Sequence, residues 1–231
     1  MTQPGYKQFC PLAMAAEQLC TRWTMVLLRE LVAGTTRFND LRRGVPKMSP
    51  TLLSQRLKEL AAAGIVERRM LKAEKGVYEY HLTDAGRDLR SVVEAMGFWG
   101  QKWVEARLSL QNLDVSLLMW DMRRNLNPSP LPPRRTVIQF IYLDLPASKR
   151  VWWLVVEADG CVDLCWSDPG FEVDLYVSTD LCTMTAIWMG LTTVEKEGRK
   201  IELSGTRGIA RSMQTWLGLS PFAVERKRAA A

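Results

Sequence analysis

The chain has 231 residues, carries 31 Lys and Arg against 25 Asp and Glu for a net charge of +6, and is 47% hydrophobic and 24% charged. That balance suits a globular protein with a real core and excludes collagen, low-complexity chains and wholesale disorder. The longest apolar runs, such as Val151 to Val156, fall far below the roughly 18 residues of a membrane span. The opening MTQPGYKQFC lacks an apolar signal core, so a cytoplasmic protein without a membrane span is expected.

The charge is not evenly spread. Residues 1–107 carry 17 Lys and Arg against 11 Asp and Glu, a net +6, whereas residues 108–231 carry 14 of each. A basic first half suits a polyanion, most often nucleic acid, although many soluble enzymes are as basic.

Residues 11–34 read as one or two helices broken near Cys20-Thr21-Arg22, with Gly34 as a stop. Thr36–Gly44 reads as a short helix and Val45-Pro46-Lys47 as a tight turn. Ser49 is a good N-cap and Pro50 suits the first position of the next helix, which runs to about Ala63. This is the helix-turn-helix pattern. On the second helix Leu53, Leu57 and Leu60 share one face and predict the buried stripe. Thr51, Ser54, Gln55 and Lys58 share another. Such groups can read base edges and hold phosphate, but an ordinary solvated face has the same make-up.

The next segment tips that balance. Ile65–Lys72 and Val77–Leu82 read as two strands joined by the turn Ala73-Glu74-Lys75-Gly76, and Thr83-Asp84 caps a further helix. Two helices followed by a β-hairpin make a winged helix, with Lys72 and Lys75 at the wing tip where phosphate would be met.

Several spaced motifs, in order, resemble the HxlR-type winged-helix transcriptional regulators. They are Cys10-Pro11, Arg22-Trp23-Thr24, Arg37-Phe38-Asn39-Asp40-Leu41, Met48 to Leu60, Gly64 to Arg68, and Tyr78 to Gly86. The resemblance covers about residues 6–107. It implies a homodimer on double-stranded DNA, with dimer contacts from the N-terminal region and the helix after the wing, here Asp84 to about Arg107. On that helix Leu89, Val93, Met96, Trp99 and Trp103, with Val92, form an apolar face wider than one small domain needs. Thr51, Ser54 and Gln55 are the expected base contacts. Arg37, Ser49, Arg56, Lys58, Lys72 and Lys75 are the expected phosphate contacts. Cys10 is the candidate redox sensor: some regulators of this type sense oxidants, aldehydes or quinones through a cysteine in this place. A thiol near Lys7 and a helix N-terminus would react as thiolate, while a buried structural cysteine is the alternative.

Asn127 to Arg135 holds four prolines within residues 128–133, which reads as a stiff extended connector. The helical segment Leu108–Arg124 before it either bridges two domains or begins the second. The expected division is therefore 1–107, a helical and Pro-rich linker at 108–135, and 136–231. Strands are expected at Thr136–Asp144, Val151–Glu157, Cys161–Trp166 and Glu172–Ser178, a helix at Asp180–Gly190, a strand at Lys200–Ser204 and a last helix at Arg207–Leu217. The fold class expected is α+β: a winged helix-turn-helix domain, then an α+β domain with a curved, mostly antiparallel sheet.

Asp174 to Asp180, Trp188-Met189-Gly190 and Lys200 to Gly205 resemble the sterol-carrier-protein type of domain over about residues 135–222. That resemblance implies a tunnel for an apolar small-molecule or lipid effector between sheet and helices. Phe140, Tyr142, Trp153, Trp166, Met184 and Trp188 are the candidate pocket. Aromatics at strand spacing more often simply fill a core.

Cys161 and Cys165 on one strand would lie about 13 Å apart, too far for one metal or a disulfide, and no zinc-ligand spacing is present. The single histidine, His81, sits in a wing strand, so no Ser-His-Asp set away from the wing is available. No phosphate-binding glycine loop appears. Neither a metal, a cofactor nor an enzyme activity is expected. The other function considered is a lipid or small-molecule carrier whose first domain serves dimerisation.

Overall fold

The computed structural model describes residues 5–71, 76–105, 110–225 and 228. The chain divides into two units, Met1–Met96 and Gly97–Ala231.

In the first unit α1 (Pro11–Leu19) and α2 (Thr24–Val32) are separated where Trp23 takes the left-handed conformation, φ 78°. A bulky residue there ends one helix and redirects the next. Then come α3 (Phe38–Gly44), α4 (Pro50–Ala62), β1 (Val66–Met70) and β2 (Tyr78–Leu82). The strands form an antiparallel hairpin with Val66 opposite Leu82 and Met70 opposite Tyr78. The segment before α3 joins it as an extra edge: the Tyr80 N–H donates to the Thr36 carbonyl at 2.9 Å, and Arg37 bridges Glu79. The core is Leu27, Leu28, Leu31, Leu41, Leu53, Leu57, Leu60, Val66 and Val93 with their neighbours.

The helix expected after the wing is interrupted at Leu89. It forms α5 (Asp84–Asp88), capped by the Thr83 hydroxyl, and α6 (Arg90–Trp103), within which the division between units falls.

In the second unit α7 (Val115–Asn125), capped by the Asp114 carboxylate, begins later than Leu108. It is followed by β3 (Thr136–Tyr142), the one-turn α8 (Ala147–Arg150), β4 (Val151–Val156), β5 (Val162–Cys165), β6 (Leu175–Thr179) and α9 (Leu181–Trp188). The last elements are β7 (Glu202–Gly205), α10 (Arg207–Arg211) and α11 (Met213–Trp216). The single expected C-terminal helix is thus two, parted at Ser212, whose hydroxyl donates back to the Gly208 carbonyl at 3.1 Å. The sheet order is β5-β4-β3-β6-β7, with only the central β3–β6 pair parallel.

Strand alternation sorts this sheet into two faces. Ile138, Phe140, Tyr142, Trp152, Leu154 and Val177 join Met119, Met184 and Trp216 in the main core. Val137, Trp153 and Val155 form a smaller cluster on the other face. Residues expected to link domains are built into the main core: Val115, Leu118, Met119, Met122, Leu126 and the proline-flanked Leu131. Proline fixes the backbone there without keeping Leu131 from being buried. No described helix is long and apolar enough to cross a membrane.

Candidate nucleic-acid interface

The turn between α3 and α4 depends on a buried charge. Glu30 on α2 is fully buried, and Arg29 donates to it at 2.6 Å and to the Gly44 carbonyl at 3.0 Å. A Cβ at Gly44 would lie 2.0 Å from the Glu30 carboxylate. Glycine is therefore required where α3 ends. Val45 and Met48 turn inward, and the Ser49 hydroxyl accepts from the Leu52 N–H at 3.2 Å, starting α4. The Ser49 oxygen is thus engaged as a cap, while its O–H remains a donor of the kind a phosphate contact uses.

With Leu53, Leu57 and Leu60 buried, α4 turns Thr51, Gln55 and Lys58 outward, and Ser54 is half-buried at the edge of that face. Lys58 has no ion-pair partner among the described residues. The Gln55 amide donates to Glu59 at 2.9 Å. Arg56 departs from its expected role. Its side chain is only 14% exposed, it donates to the Arg22 carbonyl at 3.2 Å, and it pairs with Glu59. A guanidinium so held positions α4 against the α1–α2 junction rather than reaching for phosphate. Partial burial raises the Glu59 carboxyl pKa, but bonds from Arg56 and Gln55 and the Arg56 charge outweigh this and hold it below the usual range.

Arg37 is exposed and lies 3.8 Å from Glu79, which also accepts from the Thr36 hydroxyl at 3.3 Å and faces His81 Nε2 at 3.0 Å. These groups link the start of α3 to the wing, giving His81 a structural place. Lys72 and Lys75 lie outside the described residues. On the described wing, Arg68 stacks 3.5 Å from the Tyr78 ring centroid, and Arg69 pairs with Glu67. Arg42 and Lys47, which flank the turn and were not singled out as contacts, are exposed. Their signal was the run Arg42-Arg43-Gly44-Val45-Pro46-Lys47, which places cations where the turn must be.

Cys10 is exposed at the start of α1, and all five cysteines are free. Burial, with the neighbouring Asp163, raises the Cys165 thiol pKa. No group of three or more His, Cys, Asp or Glu among the described residues could hold a metal ion.

The HxlR-like helix-turn-helix family model matches residues 18–108. The uncharacterized HTH-type transcriptional regulator YvaP of Bacillus subtilis is 31% identical over 99 residues, 42% of this chain and 92% of that protein. The chain belongs to the HxlR-like helix-turn-helix family. The uncharacterized HTH-type transcriptional regulator YdeP of Bacillus subtilis is 34% identical over 94 residues, 41% of this chain and 73% of that protein. Among solved structures, the redox regulator HypR in its reduced form is 33% identical and covers 40% of this chain and 91% of its own, with a TM-score of 0.38. The N-terminal part is thus an HxlR-type transcriptional regulator domain.

Within this HxlR-type chain two groups of expected site residues are rearranged. Val93 is 6% exposed and belongs to the first unit's own core, and Leu89 packs half-buried against it. Val93 is thus withdrawn from a partner, and Leu89 only in part. Met96, Trp99 and Trp103 are exposed. Of the six candidate pocket residues, Phe140, Tyr142 and Met184 are fully buried in the main core, with Trp188 packed against it. Trp153 is on the opposite face of the sheet and Trp166 is 62% exposed. Side-chain alternation makes this inevitable for Trp153: it stands opposite Gln139 in register, and Phe140 opposite Trp152.

Proposed function

We propose that the chain is a sequence-specific DNA-binding transcriptional regulator that acts as a homodimer. The observation that carries this reading is α4: a helix fixed by three buried leucines and a Ser49 cap, with Thr51, Gln55 and Lys58 exposed, in a domain of the HxlR family. In the reading, α4 enters the major groove, Thr51, Ser54 and Gln55 meet base edges, and Lys58, Arg37 and the wing-tip Lys72 and Lys75 meet phosphate.

The homodimer is supported by apolar surface left open on two helices. On α6, Val92, Met96, Trp99 and Trp103 recur at the spacing of a coiled-coil seam and are all exposed, Trp99 at 62%. Helix α1 has no buried residue, and Phe9 before it is 98% exposed. A nine-residue helix that packs on the core only through half-buried Leu19 is marginal in water, and a second copy covering it would add to its order.

Regulation is assigned to two further places. Exposed Cys10 is the proposed thiol sensor. The second unit, a mostly antiparallel sheet over a helix-covered core, is the proposed sterol-carrier-like regulatory domain. An apolar effector there would have to displace Phe140, Tyr142 or Met184, and it would shift DNA affinity only by binding two states unequally. Hydroxyl-radical footprinting on the DNA upstream of the protein's own gene tests the main reading. Two protected half-sites one helical turn apart, roughly 34 Å, support it; uniform or absent protection contradicts it.

A further inference from the structure

Where the helix-turn-helix meets the wing, a carboxylate stands beside a cation that would serve phosphate. Glu79 on β2 is half-buried and lies 3.8 Å from the Nε of exposed Arg37. The backbone bridge between these two residues, with the Tyr80 N–H on the Thr36 carbonyl, holds the strand against the start of α3. The carboxylate is pinned at both oxygens: Oε1 accepts the Thr36 hydroxyl at 3.3 Å, and Oε2 faces His81 Nε2 at 3.0 Å. Across the hairpin Arg69 stands opposite Glu79 in register, but it pairs with Glu67. An exposed ion pair is weak partly because two side chains must be ordered to make it. Here Thr36 and His81 already order the carboxylate, so that cost falls on Arg37 alone. A phosphate oxygen held by the Arg37 guanidinium at about 2.9 Å comes within roughly a Debye length of this carboxylate, about 8 Å at physiological salt. The contact that DNA binding makes thus brings like charges together and takes Arg37 from Glu79.

We propose that Glu79 is an internal competitor of DNA phosphate for Arg37, a positioning residue that limits how tightly the interface holds any duplex. In the free chain Glu79 holds Arg37 and ties α3 to the wing. On DNA Arg37 passes to phosphate, and Glu79 keeps Thr36 and His81. Phosphate contacts carry no sequence information, so the restraint falls on the sequence-independent part of binding and leaves base reading by α4 untouched. The inference rests on the DNA-binding reading above.

The test is fluorescence anisotropy of the full chain at one salt concentration, on a duplex of unrelated sequence and on the duplex upstream of its own gene. The variants are Glu79→Gln, Arg37→Ala and the two combined. Glu79→Gln keeps an oxygen for the Thr36 hydroxyl and removes the charge. It is expected to tighten both duplexes about fivefold, the upper worth of an exposed ion pair. In the Arg37→Ala background the same change is expected to gain less than about twofold, since nothing is left to compete for. Glu79→Thr, uncharged and suited to a strand, is expected to tighten binding likewise and carries the test if the glutamine variant folds poorly. A purely structural Glu79 would give weaker binding in both variants, and a merely repulsive one the same gain with and without Arg37; either result overturns the proposal. If the two duplexes bind alike and the gain depends on Arg37, the competition stands and sequence-specific reading falls. If neither the natural chain nor any variant binds DNA, both fall.

Discussion

Helices α1 and α7 differ sharply in what surrounds them. Helix α7 buries six of its eleven residues in its own unit, and α1, nine residues long, buries none. The same contrast separates the tryptophans: Trp216 and Trp120 are buried, and Trp99 and Trp103 stand in solvent on α6. A residue that fills its own core is accounted for by stability. A large apolar residue held on an ordered helix and left bare asks for a partner. The difference separates the part of the sequence that builds a fold from the part that is left for association.

Substitutions on the two sides should part company. Trp216→Ala opens a cavity in the main core, and the second unit should lose about 3–5 kcal/mol in urea unfolding. Glu30→Ala leaves Arg29 next to an empty place under the Gly44 turn and should lower the first unit's stability by about 3 kcal/mol. Followed at concentrations where the chain is monomeric, so that association adds nothing to stability, Trp99→Glu should leave both unfolding transitions within about 0.5 kcal/mol. It should nevertheless raise the dimer dissociation constant by about a hundredfold in analytical ultracentrifugation, the scale of a central aromatic anchor. If Trp99→Glu unfolds the protein instead, the contrast is broken.

Smaller effects sharpen the account of α4. Ser49→Ala should cost the first unit about 1 kcal/mol through the lost cap. Lys58→Ala should reduce the slope of log affinity against log salt by about 0.9. Arg56→Ala should weaken DNA binding without that change in slope, since its guanidinium is held by Arg22 and Glu59.

The smallest effect is pH dependence in the second unit. Burial raises the Asp180 carboxyl pKa, but hydrogen bonds from the Thr183 hydroxyl and N–H and the Lys200 charge more than offset it, leaving it below the usual range. A carboxyl depressed on folding stabilises above its unfolded pKa and loses that contribution as pH falls through the folded one. Thermal stability of the unit should therefore fall on acidification below about pH 4, and less so in Asp180→Asn, which keeps the cap and loses the titration.

Most of the first unit was legible because local chemistry and packing agree there. The Ser49-Pro50 start and the leucine stripe each name one backbone conformation, and each is found. The face of α6 was legible as apolar but not as divided. Periodicity cannot tell that Val93 turns into its own core while Met96 and Trp99 turn out. In the second unit the strands and α9 were readable from β-rich runs and the Asp180 cap. The burial of Leu131 was not, since prolines declare a backbone and not what surrounds it. Trp153 was grouped with Phe140 by composition, and one residue of register separates their faces. Arg56 was grouped with Lys58 by charge, although the Arg22 carbonyl that holds it is 34 residues away.

The central claim is that the exposed face of α4 reads a DNA sequence. The most direct measurement is fluorescence anisotropy of the full chain on the duplex upstream of its own gene, titrated across salt with an unrelated duplex as competitor. The account predicts a tight complex that unrelated DNA displaces only at large excess, with Thr51→Ala or Gln55→Ala erasing most of the preference. Equal, weak binding to every duplex, lost at moderate salt and unchanged by either substitution, would contradict it.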